Sequence, residues 1–111
     1  MKILVCGGRD YRDRKKVAEI LGKYDDDTIL IHGAARGADT LAHEYGLSRG
    51  WVIRAYPAKW EHHGKAAGPL RNQEMIDKEK PDVVIAFPGG RGTMDMVRRA
   101  KDAACKVIVL K

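Results

Sequence analysis

Long apolar runs are missing from this 111-residue sequence. The first, Ile3-Leu4-Val5-Cys6, is far shorter than a signal-peptide core or a membrane span, and no later run is long enough either. The expectation is a soluble cytoplasmic protein with no membrane partner. Cysteine is equally scarce: Cys6 and Cys105 are the only two, and neither stands in a Cys-x-x-Cys or zinc-ligand spacing. Both are read as buried thiols, and no metal site is expected. Neither a Walker A sequence nor a true Gly-x-Gly-x-x-Gly occurs, so neither P-loop triphosphate hydrolysis nor a dinucleotide cofactor has direct support. Aromatic residues make up 6% of the chain and form no ladder, which counts against an extended base-stacking groove. No repeat, low-complexity tract or linker interrupts the sequence. With 44% hydrophobic residues it is expected to form one domain over residues 1–111.

Acidic residues are outnumbered, 15 Asp and Glu against 21 Lys and Arg, giving a formal net charge of +6. The excess favours anionic partners without naming one. Nucleotide, single-stranded nucleic acid and plain solubility all stay open at this point.

Five short apolar runs recur: Ile3-Cys6, Ile29-Ile31, Trp51-Ile53, Val83-Phe87 and Val107-Leu110. Their β-branched content and lack of alternation predict strands buried on both faces, as in a parallel sheet. Helical periodicity fills the gaps between them. It is carried by Val17, Ile20, Leu21 and Tyr24, by Ala38, Leu41, Ala42 and Tyr45, and more weakly by Met94, Val97 and Ala104. Pro69 to Lys80 opens with proline in a first helical turn and stops before Pro81. Alternation of this kind predicts a doubly wound, Rossmann-like α/β sheet of about five parallel strands with helices on both faces. Tyr56–Gly68 is the longest irregular stretch and reads as a working loop.

In such a sheet, ligands bind outside the carboxyl ends of the strands. The residues there are Gly7-Gly8-Arg9-Asp10, then His32-Gly33-Ala34-Ala35-Arg36-Gly37-Ala38-Asp39, then Pro88-Gly89-Gly90-Arg91-Gly92-Thr93. Glycine lets a phosphate approach the backbone, and amides opening the next helix add partial positive charge. Arg9, Arg36, Arg91 and Arg71 add permanent charge on the same rim, which would repel itself without an anionic ligand or carboxylate neighbours. Lys59 and Trp60 offer phosphate contact and base stacking, or merely cover the sheet. Asp39 and Asp10 serve as ligand contacts or as ordinary helix-start acids. His62-His63 lack further metal ligands at a recognisable spacing.

Cys6-Gly7-Gly8-Arg9-Asp10-Tyr11, His32-Gly33-Ala34 with Gly37-Ala38-Asp39, Pro57-Ala58-Lys59-Trp60, Gly68-Pro69-x-Arg71-Asn72-x-x-Met75 and Phe87-Pro88-Gly89-Gly90-x-Gly92-Thr93 together resemble the YspA/YpsA-related branch of the SLOG superfamily. That superfamily also holds the LONELY GUY phosphoribohydrolases, the DNA-processing protein DprA and nucleotide-sensing domains of defence systems. The resemblance implies a Rossmannoid fold and a nucleotide-type ligand, with Arg71 and Asn72 beside its pocket. It selects no single activity; the arginine-glycine rim, Met96 and the few aromatic residues put nucleotide binding first, LONELY GUY-type cleavage of a nucleotide N-glycosidic bond second, and single-stranded nucleic-acid binding third. LONELY GUY enzymes carry a glutamate three residues after the threonine, where this chain has Met96, a departure that weighs against glycosidic-bond cleavage; activity restored by Met96→Glu would support an ancestral catalytic geometry. Asp95 and Asp39 are the remaining catalytic candidates. A homo-oligomer is compatible with all of this.

Overall fold

The computed structural model describes residues 1–111. Five strands, β1 (Lys2–Cys6), β2 (Ile29–His32), β3 (Val52–Ala55), β4 (Val83–Ala86) and β5 (Lys106–Val109), form one all-parallel sheet in the order β3-β2-β1-β4-β5. The α-helices are α1 (Arg14–Leu21), α2 (Ala38–Arg49), the one-turn α3 (Trp60–His63), α4 (Ala67–Glu79) and α5 (Arg91–Asp102). The doubly wound α/β architecture expected from the alternation is the one observed.

Neighbouring strand residues point to opposite faces, and the two faces are filled by different helices. Ile3, Val5, Leu30, Val83 and Ile85 join Val17 and Leu21 of α1 and Ala38 and Ala42 of α2 in one buried cluster. Leu4, Ile31 and Val84 join Met75 and Ile76 of α4 and Met96 and Ala100 of α5 in the other. The central strands β1, β2 and β4 are thus covered on both sides.

The edge strands depart from the expectation of burial on both faces. Val52 in β3 is 57% exposed and Val109 in β5 is 48% exposed. Each edge strand has one neighbour, and the helices reach only part of its surface. Both cysteines are partly rather than fully buried. Ala104 lies beyond α5 with φ +60°, so it takes no part in the helical stripe. The segment Tyr56–Gly68 is more regular than expected: α3 is followed by a 3₁₀ turn over Gly64–Ala66 that leads straight into α4. No helix is long and apolar enough to cross a membrane.

The chain leaves β1 toward β2 and β3 on one side, then returns across the sheet to build β4 and β5 on the other. The reversal opens a crevice at the carboxyl ends of β1 and β4. There the first and fourth loops meet, with Gly8 N–H donating to Pro88 O at 2.9 Å.

Candidate functional site

A cavity of about 610 Å³ occupies this crevice. The three glycine-rich loops converge on it: Gly7, Gly8 and Arg9 after β1, Gly33 and Ala35 after β2, and Gly90, Arg91, Gly92 and Thr93 after β4 all line it. The far wall comes from Trp60 of α3 and from Arg71, Asn72 and Asp95 of α4 and α5.

Asp39, in the first turn of α2, shapes the second loop. Its Oδ2 accepts Gly33 N–H at 3.0 Å and Ala35 N–H at 3.2 Å. Burial pushes its pKa up to about 6, against the opposing pull of the Ala35 N–H, the Arg71 charge and the Gly33 N–H. The Cys6 thiol, at the cavity floor, is pushed up to about 12 by burial and then by Asp39, with Arg71 opposing. A thiol with so little thiolate is no nucleophile at neutral pH. His32 completes the loop: its Nδ1 accepts Ala34 N–H at 2.9 Å, so its proton sits on Nε2, 2.9 Å from His43 Nδ1. Burial, His43 and Arg71 together lower its pKa to about 4, which leaves the ring neutral and structural.

The raised Asp39 pKa sets the sign of a pH dependence. Stability contributed by the protonated carboxyl is fully present below its ordinary value of 3.8 and is lost as pH rises through about 6. An asparagine in its place would retain an oxygen for the two amides and carry no charge. In chemical denaturation at pH 8, unliganded Asp39→Asn is expected to exceed wild type by up to about 3 kcal/mol. The difference should close below pH 4. A variant less stable than wild type at pH 8 would show that the carboxylate charge itself holds the loop.

Arg71 reaches across from α4 to tie two loops together. Its Nη1 donates to Gly33 O and, at 3.3 Å, to Tyr56 O, while Nε donates to Asn72 Oδ1 at 3.1 Å. A Cβ on Gly33 would stand 2.5 Å from Arg71 Nη1, so only glycine leaves the guanidinium its seat. Asn72 Nδ2 in turn donates to Gly92 O at 3.3 Å and to Asp95 Oδ2 at 3.0 Å. One continuous set of hydrogen bonds therefore runs from the second loop to the fourth.

The YAcAr family, described as the YspA, cpYpsA-related SLOG family, matches residues 1–63. The Gene 61 protein of Mycobacterium phage D29 is 37% identical over 122 residues, covering 96% of this chain and 94% of that protein. The chain belongs to the YspA, cpYpsA-related SLOG family. Among solved structures, DNA processing protein A (DprA) from Streptococcus pneumoniae superimposes with a TM-score of 0.79 at 22% identity, over 99% of this chain and 50% of that one. The SLOG chain therefore spans about half the length of DprA, with which it shares a fold.

Within this SLOG-family chain the two candidate carboxylate positions on α5 separate cleanly. Met96 is fully buried among Leu4, Ile31, Met75 and Val84, so the position expected to lack a catalytic glutamate faces the core and not the cavity. Asp95, one residue and about 100° earlier on the helix, lines the cavity. It is heavily engaged: besides Asn72, it accepts from Arg98 at 2.9 Å and from Arg99 Nε at 2.8 Å. Burial alone would raise its pKa, but the hydrogen bonds from Arg99, Asn72 and Arg98 outweigh it and hold the carboxylate below its ordinary range.

Other candidates lie outside the cavity lining. Asp10 and Arg36 face solvent and pair with each other at 3.4 Å, a contact that contributes little. Ala34 turns the second loop at φ +57°. Gly37 and Gly89 are packing points between loops, Pro88 supplies the carbonyl that receives Gly8 N–H, and Lys59 is exposed at the start of α3. Conversely, Lys65, Pro69 and Met75 line the cavity without having been singled out as site residues. Pro69 and Met75 belong to the Gly-Pro-x-Arg-Asn-x-x-Met motif, which was a signal for them; Lys65 sits in a stretch with no periodicity and had none.

Proposed function

We propose that this protein binds a nucleotide or a nucleotide-derived phosphorylated small molecule in the cavity, acting as a sensing, carrying or sequestering module. The single observation that carries this reading is a division among its arginines. Arg14, Arg36, Arg49, Arg54, Arg98 and Arg99 each pair with a carboxylate. Arg9, Arg71 and Arg91, which line the cavity, make no carboxylate salt bridge, and Arg12 is the one further arginine without one; Lys65 adds a fourth cation to the lining. Four cations against the two carboxylates Asp39 and Asp95 leave the concavity net positive, which favours an anionic occupant. The volume is that of a small-molecule site, and the α5 amides at Arg91 to Thr93 add donors on the same wall.

Cleavage of an N-glycosidic bond is the second reading, favoured by the presence of ionised Asp95 in the wall. Its three side-chain donors weigh against it, because a carboxylate already stabilised in this way gains less by meeting a developing positive charge. Single-stranded nucleic-acid binding ranks third. The likeness to DprA concerns the fold, and Trp60 is the one aromatic side chain in the cavity wall.

Native mass spectrometry of gently purified protein tests the leading reading, with a released nucleotide as the expected result. Arg71→Ala gives a second, quantitative test. Removing charge-assisted bonds to a phosphate should weaken binding of that ligand by about 1.5–3 kcal/mol in calorimetry, roughly 10- to 150-fold. The unliganded variant should lose about 1 kcal/mol, since Gly33 O and Tyr56 O lose a donor. Unchanged affinity would remove Arg71 from the site.

A further inference from the structure

Trp60 is 48% exposed, whereas Trp51, the other tryptophan, is 5% exposed in the core. Gly68 faces the edge of the Trp60 ring, where an added Cβ would stand 3.4 Å from Cη2. Arg9 rests over the ring, its guanidinium carbon 5.6 Å from the centroid. Arg9 makes no carboxylate pair, and both residues line the cavity. The arrangement brings a flat, half-exposed π surface and a movable planar cation from two different loops to the mouth of a cationic pocket.

We propose that Trp60 and Arg9 form a nucleobase platform, on which the base of a bound nucleotide stacks against the Trp60 indole while the Arg9 guanidinium moves to the base's other face. This rests on the reading that the cavity takes a nucleotide, and it names what selects the base. An exposed cation on an indole is a weak contact. A stacked base contributes about 5- to 150-fold in affinity and is indifferent to the base's hydrogen-bonding edge. Selection by the platform itself is therefore by stacking area: purine over pyrimidine.

The test compares ribose 5-phosphate, AMP, GMP and CMP as calorimetric ligands of wild type, Trp60→Ala and Trp60→Phe. Wild type should bind AMP and GMP at least tenfold more tightly than ribose 5-phosphate, with CMP between. Trp60→Ala should bring AMP down to the ribose 5-phosphate level without weakening ribose 5-phosphate itself, and Trp60→Phe should keep most of the difference. AMP, but not ribose 5-phosphate, should quench the exposed tryptophan fluorescence. If Trp60→Ala leaves the ratio of AMP to ribose 5-phosphate affinity unchanged, the platform is overturned while the phosphorylated-ligand reading stands. If wild type binds none of the four, both are overturned.

Discussion

Met96→Glu is expected to destabilise the protein by about 4 kcal/mol or more, without placing a carboxylate in the cavity. The side chain is 0% exposed and packs against Leu4, Ile31, Met75, Ile76, Val84 and Ala100, none of which offers a side-chain hydrogen-bond donor. An ionised carboxylate cannot stay there, so the introduced glutamate would be forced into its neutral form or would drag α5 outward. Its folded-state pKa is therefore raised above the unfolded value. The remaining stability should be greater at pH 5 than at pH 8 and should fall as pH rises through the raised value. For a chain of this size each kcal/mol corresponds to roughly 4–8 °C, so the thermal midpoint should drop by tens of degrees at pH 8. Met96→Leu, nearly equal in volume, should stay within about 1.5 kcal/mol of wild type. Thermal melts followed by circular dichroism at both pH values decide the matter. A well-folded Met96→Glu protein that releases free base from nucleoside monophosphates would mean that α5 can rotate by a full residue, and would restore the hydrolase reading.

Asp95 lines the cavity while Met96, its neighbour on α5, is fully buried. A motif offset of three residues locates a turn of helix, but one residue more or less swings a side chain by about 100°, from cavity to core. The periodicity read from the sequence ran through Met94, Val97 and Ala104, but Met94 is 54% exposed; the buried stripe of α5 is Thr93, Met96, Val97 and Ala100, and Asp95 lies beside it. The same physics made the central sheet legible. Ile3-Cys6 and Val83-Phe87 are apolar throughout because both faces are covered, and parallel connectivity then sends their glycine-rich sequels to one edge. Gly8, Gly33 and Gly90 meet at one cavity for that reason.

What was not legible depends on strand order and on side-chain direction. Trp51-Val52-Ile53 reads like a central strand, yet β3 ends at the sheet edge because β1 separates the two halves of the sheet. Arg36 and Arg71 are both arginines beside glycine loops. Arg36 points to solvent and meets Asp10, while Arg71 rises from a helix on the opposite wall and is drawn in by the carbonyls of Gly33 and Tyr56. Composition cannot tell those two fates apart, because the deciding partners lie 26 and 38 residues away in sequence.

Gly37→Ala should be the most damaging small substitution in the loops, costing about 4 kcal/mol. Gly37 precedes α2 with φ +81° and ψ −126°, a conformation that L side chains rarely adopt and that carries on the order of 1–3 kcal/mol of strain for them. The new methyl would also stand 2.2 Å from Gly8 O and 2.6 Å from Arg9 C, both backbone atoms that cannot turn aside, adding a similar overpacking cost. Gly8 O is the acceptor for Ala38 N–H at 3.1 Å and for Tyr11 N–H at 3.2 Å, so pushing it away frees two amides and lifts the first loop from α2. The cavity would lose the contact that sets Gly8 and Arg9 opposite Gly33, and ligand affinity should fall together with stability. Gly90→Ala is the matched comparison: Gly90 also lines the cavity and also precedes a helix, but its φ is −101° and a Cβ there meets nothing within 4 Å. It should cost less than about 1 kcal/mol. Urea denaturation of both variants, with amide exchange at Ala38 and Tyr11 as the local readout, separates the two. Equal stability losses would mean that the glycines act through the flexibility of the unfolded chain; a loss confined to Gly37→Ala, with faster exchange at those two amides, is the result expected from the contact between the first loop and α2.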